Sequence, residues 1–151
     1  MQIAKAKGAH VLGTARAEKH DFLRSLGVDE PIDYTTTPVE QMGTDLDVVL
    51  DLIGGENGVR SVPLVRPGGI VIPVPSGAGD AVMAAAKEAG VRATGILVEP
   101  DGHSLTEIAK LVDDGSIRVE IDSTYPLAEA AKAHERGETG RARGKIVLEV
   151  V

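Results

Sequence analysis

The segment Asp47-Val48-Val49-Leu50-Asp51-Leu52-Ile53-Gly54-Gly55 determines what kind of sheet this chain can build. It is a nearly continuous apolar run that a glycine pair closes. A second apolar run, Ile70 to Val74, follows the turn Arg66-Pro67-Gly68-Gly69, in which Gly68 takes the place in a type II turn that needs φ above zero. Continuous apolar runs of this length are typical of strands that are buried on both faces of a parallel sheet.

Short strands alternate with helices on both sides of these two runs. We predict further strands at residues 10–14, 31–34, 92–98, 117–123 and 145–151. Apolar residues at helical spacing, with glycine stops, predict helices at residues 1–7, 17–26, 56–65, 80–89, 104–114 and 126–136. This alternation predicts an α/β fold built from βαβ units, with a parallel sheet that helices cover on both faces.

The composition excludes several classes of protein. The 151 residues include no Cys and no Trp, one Phe and two Tyr, so disulfides, thiolate nucleophiles and cysteine-ligated zinc are excluded. A net charge of −7 and the scarcity of aromatic rings argue against nucleic-acid binding. No apolar run approaches the roughly 18 residues of a membrane span, and the first residues lack the apolar core of a signal peptide. We therefore expect one cytoplasmic domain with no membrane or nucleic-acid partner.

The ends of the predicted strands carry candidate ligand-binding residues, because open parallel sheets bind ligands at the carboxyl ends of their strands. The first strand ends without an acid that could bond the ribose hydroxyls of NAD, whereas Arg16 and Lys19 could pair with a 2′-phosphate. After the two central strands, Gly54, Gly55 and Ser76 lie in turns that a ligand could approach. Each candidate has an ordinary alternative, since the cations could be solvated charges and the glycines could serve the turns alone.

A series of short sequence motifs covers almost the whole chain. They are Gln2-Ile3-Ala4-Lys5-Ala6-Lys7-Gly8-Ala9, Leu26-Gly27-Val28-Asp29, Ile32-Asp33-Tyr34, Asp47-Val48-Val49-Leu50-Asp51, Arg66-Pro67-Gly68-Gly69, Tyr125-Pro126-Leu127, Ala133-His134 and Gly144-Lys145-Ile146-Val147-Leu148. Together they resemble the C-terminal half of the medium-chain dehydrogenase/reductase family, in its quinone oxidoreductase-like, NADP-dependent branch. That branch often carries the label zinc-binding dehydrogenase although it lacks zinc.

The resemblance implies a nicotinamide cofactor and adds a third residue to its binding site. In this branch a Tyr at the position of Tyr34 packs beside the 2′-phosphate, so Tyr34 joins Arg16 and Lys19 in selecting NADPH. The turns at Gly54-Gly55 and Ser76 would approach the ribose and the nicotinamide. The family transfers hydride from NADPH to a quinone or an activated double bond such as an enone, and the cofactor carries that chemistry. We therefore expect no catalytic side chain and no metal site in this chain.

The chain departs from the family at its start. The family's glycine-rich fingerprint, the strand before it and the N-terminal substrate-binding domain would all lie upstream of Gln2, and Met1 falls inside the family's first helix. We therefore expect a truncated Rossmann-like parallel sheet that lacks its first strand and glycine-rich loop. Residues 1–151 would form a partial dinucleotide-binding domain that is inactive alone, and residues 116–151 would pack against the missing N-terminal catalytic domain.

The missing strand predicts two unpaired sheet edges. A Rossmann sheet has the strand order 3-2-1-4-5-6, so removal of strand 1 leaves strands 3-2 and strands 4-5-6. Two outcomes stay open. The edges stay free and favour self-association, or strand 2 pairs directly with strand 4.

Two other functions stay open as well. An S-adenosylmethionine-dependent methyltransferase-like domain also carries a turn resembling Arg66-Pro67-Gly68-Gly69 before a strand, although its glycine-rich cofactor loop is missing here too. A non-catalytic interaction module could instead pair through the open sheet edges. The ordered motifs favour the oxidoreductase.

Overall fold

The computed structural model describes residues 1–74 and 79–150, which form two compact units. The first unit comprises Met1 and residues 10–100, and the second comprises residues 2–9 and the chain from residue 101 onward. Each unit contains parallel strands joined by helices, so the predicted α/β class with Rossmann-like parallel sheets is confirmed.

The first unit holds two separate parallel sheets. Helix α1 (Gln2–Ala6) precedes its strands in the chain but belongs to the second unit. The elements that follow are β1 (Leu12–Ala15), α2 (His20–Ser25), β2 (Glu30–Asp33), β3 (Leu46–Asp51), α3 (Glu56–Ser61), β4 (Val65–Pro73), α4 (Gly79–Glu88) and β5 (Arg92–Ala93). Strand β1 pairs with β2 in one sheet, and β3, β4 and β5 pair in that order in the other.

The strand order matches a Rossmann sheet from which one strand has been taken out. The sheets β1-β2 and β3-β4-β5 correspond to the predicted groups 3-2 and 4-5-6. Within the described ranges β1 and β3 share no ladder, so the alternative in which these two strands pair directly is wrong. One edge of β1 and one edge of β3 are consequently left without a strand.

The core of the first unit lies between the sheet β3-β4-β5 and helices α3 and α4. Val62, Val65, Val71, Val82, Ala86 and Val91 form its buried cluster, with Val49 and Val59 packed against it. Val71, Val82 and Ala86 are fully buried. Each buried valine contributes about 1.5–2 kcal/mol relative to an exposed one, so this cluster anchors both helices on one face of the sheet.

Among the described residues, the opposite face of this sheet has no helix of the first unit packed on it. Val48 and Leu50 on β3 are 56% and 54% exposed, and their ladder partners Ile70 and Ile72 are only half-buried. Both helices of the unit's core cluster pack on the other side, where Val49 and Val71 point. The prediction that helices cover both faces is therefore wrong for β3 and β4.

The second unit contains a βαβ unit of its own. Its elements after α1 are α5 (Gly102–Asp113), β6 (Ile121–Pro126), α6 (Ala130–Glu138) and β7 (Lys145–Glu149), with β6 and β7 parallel. Arg136 on α6 donates from Nε and Nη2 to the two carboxylate oxygens of Asp122 on β6, each at 2.8 Å. These bonds lower the pKa of Asp122 below its ordinary value, and the charged pair fixes α6 to the strands.

Two predicted strands have different limits. Strand β5 ends at Ala93 although the sequence predicts a strand to Val98, and Leu97 is 88% exposed. The apolar character of this stretch is high, but within the described residues the ladder between β4 and β5 includes only Arg92 and Ala93 of β5. Strand β6 begins at Ile121 rather than at the predicted residue 117 and continues to Pro126.

Candidate functional site

Arg16 and Tyr34 meet at the carboxyl ends of β1 and β2. The ladder places Ala15 opposite Asp33, so the residues that follow them leave the sheet side by side. The Nε of Arg16 donates to the hydroxyl of Tyr34 at 3.3 Å, and this bond raises the pKa of Arg16 above its ordinary value. Both side chains are exposed. The pair therefore presents a permanent positive charge and an aromatic ring to solvent at a sheet end.

Lys19 lies one turn beyond Arg16. Residues 17–19 form a 3-10 turn in which the Lys19 N–H donates to the Arg16 carbonyl at 2.9 Å. Arg16 is the extended residue that precedes this turn and Lys19 is its last residue, so both predicted cations belong to the loop that follows β1.

Asp33 ties this loop to the end of β2. Its Oδ2 accepts from the Ala17 N–H at 3.2 Å, and its Oδ1 accepts from the hydroxyl and the N–H of Thr35 at 2.7 and 2.9 Å. Hydrogen bonds from the Thr35 hydroxyl and then the Thr35 amide lower the pKa of Asp33 below its ordinary value. The carboxylate therefore stays charged near Arg16 while three protein donors bind it. Sequence reasoning assigned Asp33 no role, although an Asp two residues before a Thr is a known turn signal.

The glycine pair forms a second feature, at the carboxyl end of β3. Asp51 is the last residue of this strand and is buried, with 8% exposed. Its Oδ1 accepts from the N–H groups of Ile53 and Gly54, each at 3.0 Å. Gly54 and Gly55 have φ values of 78° and 64°, which side chains tolerate poorly. The buried Asp51 carboxylate therefore holds this turn by two hydrogen bonds, and exposed Gly55 is the N-cap residue of helix α3.

Gly58 lets helix α3 lie directly against Asp51. A Cβ on Gly58 would stand 2.3 Å from Asp51 Oδ2 and 2.8 Å from Val82 Cγ2. Oδ2 is buried and accepts no hydrogen bond from a described residue. Sequence reasoning missed Gly58, although Gly55-x-x-Gly58 after a strand repeats the last two glycines of a dinucleotide fingerprint, in which the final glycine permits close helix–strand packing.

The predicted site residues are divided between the two sheets of the first unit. Gly54 and Gly55 belong to the sheet of β3, whereas Arg16, Lys19 and Tyr34 belong to the sheet of β1. Ser76 lies outside the described residues. In residues 1–74 and 79–150, no three His, Asp or Glu side chains are grouped so that they could hold a metal ion. No helix within these ranges is long and apolar enough to span a membrane.

Comparison with protein families identifies a match to most of this chain. The family model for zinc-binding dehydrogenases matches residues 26–148 of this chain. The match covers most of the chain and includes the glycine turn after β3.

Curated relatives agree with this match. A probable mitochondrial zinc-binding oxidoreductase of Arthroderma benhamiae is 30% identical over 157 residues, covering 100% of this chain and 47% of the relative. The mitochondrial NAD(P)H oxidoreductase RTN4IP1 of Mus musculus is 34% identical over 177 residues, covering 100% of this chain and 44% of the relative.

A solved structure is similar over the same part. The quinone oxidoreductase from Coxiella burnetii is 36% identical with a TM-score of 0.91, and the match covers 99% of this chain and 48% of that one. This chain spans about half the length of the curated relatives and of the structure that it matches.

Proposed function

The chain belongs to the zinc-binding dehydrogenase family, and on that premise we propose that it is the nucleotide-binding part of an NADPH-dependent oxidoreductase that reduces a quinone or an activated double bond. The relatives are named as oxidoreductases that use NAD(P)H or act on quinones. The methyltransferase alternative gains no support from them. Because the chain spans about half of these proteins, we infer that it is inactive alone.

The pairing of Arg16 with Tyr34 carries the proposal of NADPH as the cofactor. Ligands of open parallel sheets bind outside the carboxyl ends of the strands, which is where the structure places this pair. A guanidinium forms two parallel hydrogen bonds with a phosphate, and Lys19 adds a second cation at the end of the same turn. Together these groups complement the 2′-phosphate that distinguishes NADPH from NADH.

Asp33 sets a limit on this selectivity. Its carboxylate lies near Arg16 and would repel a doubly charged phosphate, but it could accept a hydrogen bond from a ribose hydroxyl. Three donors already bind its two oxygens, and these bonds hold it in the loop. We expect the cations to outweigh this single carboxylate, so that NADPH is preferred over NADH.

The residues of this chain would bind and orient the cofactor. When bound, NADPH supplies the hydride, so no side chain here needs to act as an acid or base. Gly55 has open space where a side chain would stand, which lets a cofactor approach the backbone of the turn. We assign Gly54, Gly55 and Ser76 to the ribose and nicotinamide end.

The family label mentions zinc, but the residues do not fit such a site. The sequence has no Cys, and the described His, Asp and Glu side chains form no metal-binding group. We derive no step through a metal ion.

The second unit would contact the remainder of a longer oxidoreductase. Val119, Ile121 and Val150 are all more than half exposed, which supports the proposal that residues 116–151 pack against a further domain. A cytoplasmic location stays a prediction, supported by the absence of cysteine alone.

The cofactor proposal is tested with ligands that differ only in the 2′-phosphate. Adenosine 2′,5′-bisphosphate and 5′-AMP are titrated into the wild-type chain and the double variant Arg16→Glu/Lys19→Glu by calorimetry. We expect weak binding overall, a preference of the wild type for the bisphosphate, and loss of that preference in the variant. A preference that survives the double substitution would overturn the assignment of these residues.

A matched control keeps the result interpretable. Lys5→Glu/Lys7→Glu makes the same change of charge in the second unit, outside the loops that follow β1 and β2 in the chain. We expect this control to keep the preference, because it leaves the loop after β1 unchanged.

A further inference from the structure

Asn57 is the only asparagine of the sequence, and it stands directly before Gly58 at the start of α3. The residue is exposed, and its side chain makes no hydrogen bond with a described residue. Because glycine has no side chain, the Gly58 peptide nitrogen can approach the Asn57 side chain without steric hindrance. An unbonded side-chain amide beside such a nitrogen is the arrangement from which asparagine cyclises.

Hydrogen bonds of the helix do not hold the peptide between Asn57 and Gly58. The Val59 N–H is the first in α3 to bond back along the helix, to the Gly55 carbonyl at a long 3.4 Å. The Gly58 N–H donates to no described group, as is usual for the first N–H groups of a helix. Gly55, Glu56 and Asn57 are all exposed, so opening of this turn exposes little apolar surface.

Packing fixes Gly58 itself. It is buried, and a Cβ on it would overlap Asp51 Oδ2 and Val82 Cγ2. The Asp51 carboxylate is in turn bound by the N–H groups of Ile53 and Gly54. The chain before Gly58 can therefore move toward solvent, but Gly58 cannot move toward β3.

We propose that Asn57 is a site of spontaneous deamidation. The Gly58 peptide nitrogen loses its proton and bonds to Cγ of Asn57, while the side-chain amino group takes up a proton and leaves as ammonia. The resulting succinimide adds water, which breaks one of the two carbonyl bonds to the Gly58 nitrogen. Cleavage at Cγ gives an aspartate, and cleavage at the backbone carbonyl carbon gives an isoaspartate. No oxidant or reductant takes part.

The two products affect α3 differently. The aspartate places a negative charge in the first turn of the helix, three residues before Arg60, and both interactions are favourable. The isoaspartate adds a carbon atom to the main chain between residue 57 and Gly58. Because Gly58 cannot move toward Asp51, the added length displaces residues 55–57. The isoaspartate therefore opens the start of α3, whereas the aspartate leaves it in place.

The displaced turn adjoins the residues that we assign to the ribose and nicotinamide end of the cofactor. Gly55 belongs to the displaced residues, and Gly54 precedes them directly. The isoaspartate would therefore weaken cofactor binding as the protein ages. This consequence rests on the proposed function, whereas the deamidation and the opening of α3 do not.

The test follows the mass of one fragment without any nucleotide. The full chain is kept in mildly alkaline buffer at physiological temperature, and tryptic fragment 25–60, which contains no other asparagine and no Asp-Gly pair, is mapped by mass spectrometry. We expect the mass gain of an amide that becomes a carboxylate, and labelling by an isoaspartate-specific methyltransferase. Because a terminal turn opens at little cost, the rate in the folded chain should lie within about tenfold of the rate in the isolated fragment.

Two variants separate the chemistry from its effect on the helix. Asn57→Gln keeps a primary amide but requires a larger ring, so we expect no mass gain. Asn57→Asp reproduces the product with a normal main chain. We expect the Ile53 and Gly54 amide signals of fresh Asn57→Asp to match the wild type, while those of the isoaspartate product shift because the turn is displaced.

The chain also contains an internal control. Asp101 and Asp114 both precede glycine, and an aspartate cyclises mainly when its carboxyl is protonated. Hydrogen bonds from Ser104 and Ser116 lower the pKa of Asp101 and of Asp114 respectively, so both stay charged in alkaline buffer. We expect both to remain unmodified while Asn57 converts.

Three results would overturn the proposal. An Asn57 that stays intact in the folded chain, or converts only after urea unfolds it, would refute the modification site. An isoaspartate that leaves the Gly54 signal unchanged would refute the opening of α3. Since no nucleotide is present, a failure of the cofactor assignment would change none of these results.

Discussion

Gly58→Ala tests how closely helix α3 packs against the end of β3. The added methyl would stand 2.3 Å from Asp51 Oδ2 and 2.8 Å from Val82 Cγ2. Neither atom yields easily, because the Asp51 carboxylate binds two N–H groups and Val82 is fully buried. Overpacking of this kind costs about 1–3 kcal/mol, and distances this short place the cost at the upper end.

Helix propensity acts in the opposite direction. Alanine is better than glycine inside a helix by about 1 kcal/mol. We therefore expect Gly58→Ala to lower the free energy of unfolding of the first unit by about 2 kcal/mol. For a domain of this size that corresponds to a fall in Tm of roughly 8 °C or more.

The assay is urea denaturation followed by circular dichroism, with amide exchange in each unit to separate their transitions. Gly137→Ala on α6 is the matched control, because its methyl would meet only Ile146 Cδ1 at an ordinary 3.7 Å. We expect this control to gain about 0.5–1 kcal/mol from helix propensity.

A double variant shows whether Asp51 is the source of the cost. Asp51→Ala removes the nearer of the two clashing atoms, so Asp51→Ala/Gly58→Ala should be less destabilised than the sum of its single changes. If Gly58→Ala is as stable as the wild type while Gly137→Ala gains stability, the close packing of α3 on Asp51 is refuted.

Two further changes probe individual carboxylates. Asp51→Ala removes the oxygen that accepts from the two turn N–H groups, and we expect it to lower the free energy of unfolding by about 2 kcal/mol, measured by urea denaturation. Asp51→Asn keeps an oxygen for these N–H groups and replaces only Oδ2, which has no hydrogen-bond partner among the described residues. We therefore expect Asp51→Asn to lower the free energy of unfolding by less than Asp51→Ala. The bidentate bond from Arg60 holds the pKa of Glu40 at about 2 instead of its ordinary 4.5, which carboxyl chemical shifts measure. Because this pKa is lowered on folding, the pair stabilises the fold above pH 4.5 and loses that effect as the pH falls toward 2. Arg60→Gln should return the titration midpoint of Glu40 toward 4.5. An unchanged midpoint would show that Arg60 does not lower the pKa of Glu40.

The order of the strands could be predicted from the sequence, because each strand is recognised by its own apolar run and the glycine that ends it. Once the ordered motifs identify the strands as 2 to 6 of a Rossmann sheet, the missing partner between β1 and β3 follows. The uncovered face of β3 was not accessible in this way. Val48 and Leu50 lie on one face of β3 and Val49 lies on the other, so both faces of the strand are apolar. Such a pattern does not indicate which face a helix covers.

Strand length was also poorly predicted where it depends on a neighbour. Ile96, Leu97 and Val98 are strand-forming residues, yet the ladder with β4 ends at Ala93. Intrinsic preference favours a strand there, but pairing requires a partner strand that extends equally far.

The candidate site was predicted in part. Arg16 and Lys19 could be selected from charge and position, but their proximity to Tyr34 depends on the register of β1 with β2, which a sequence pattern does not fix. Asp33 was missed because its side chain turns back to the loop after β1, a contact between residues far apart in sequence.

Nuclear magnetic resonance can locate the nucleotide on this chain. Adenosine 2′,5′-bisphosphate is titrated into isotope-labelled protein, and backbone amide shifts are recorded along the chain. We predict saturable shifts confined to the loops after β1 and β2, at Ala17, Tyr34 and Thr35, with smaller changes for 5′-AMP. Shifts that are absent, or that fall mainly in the second unit, would contradict the assignment of these strand ends as the adenosine site.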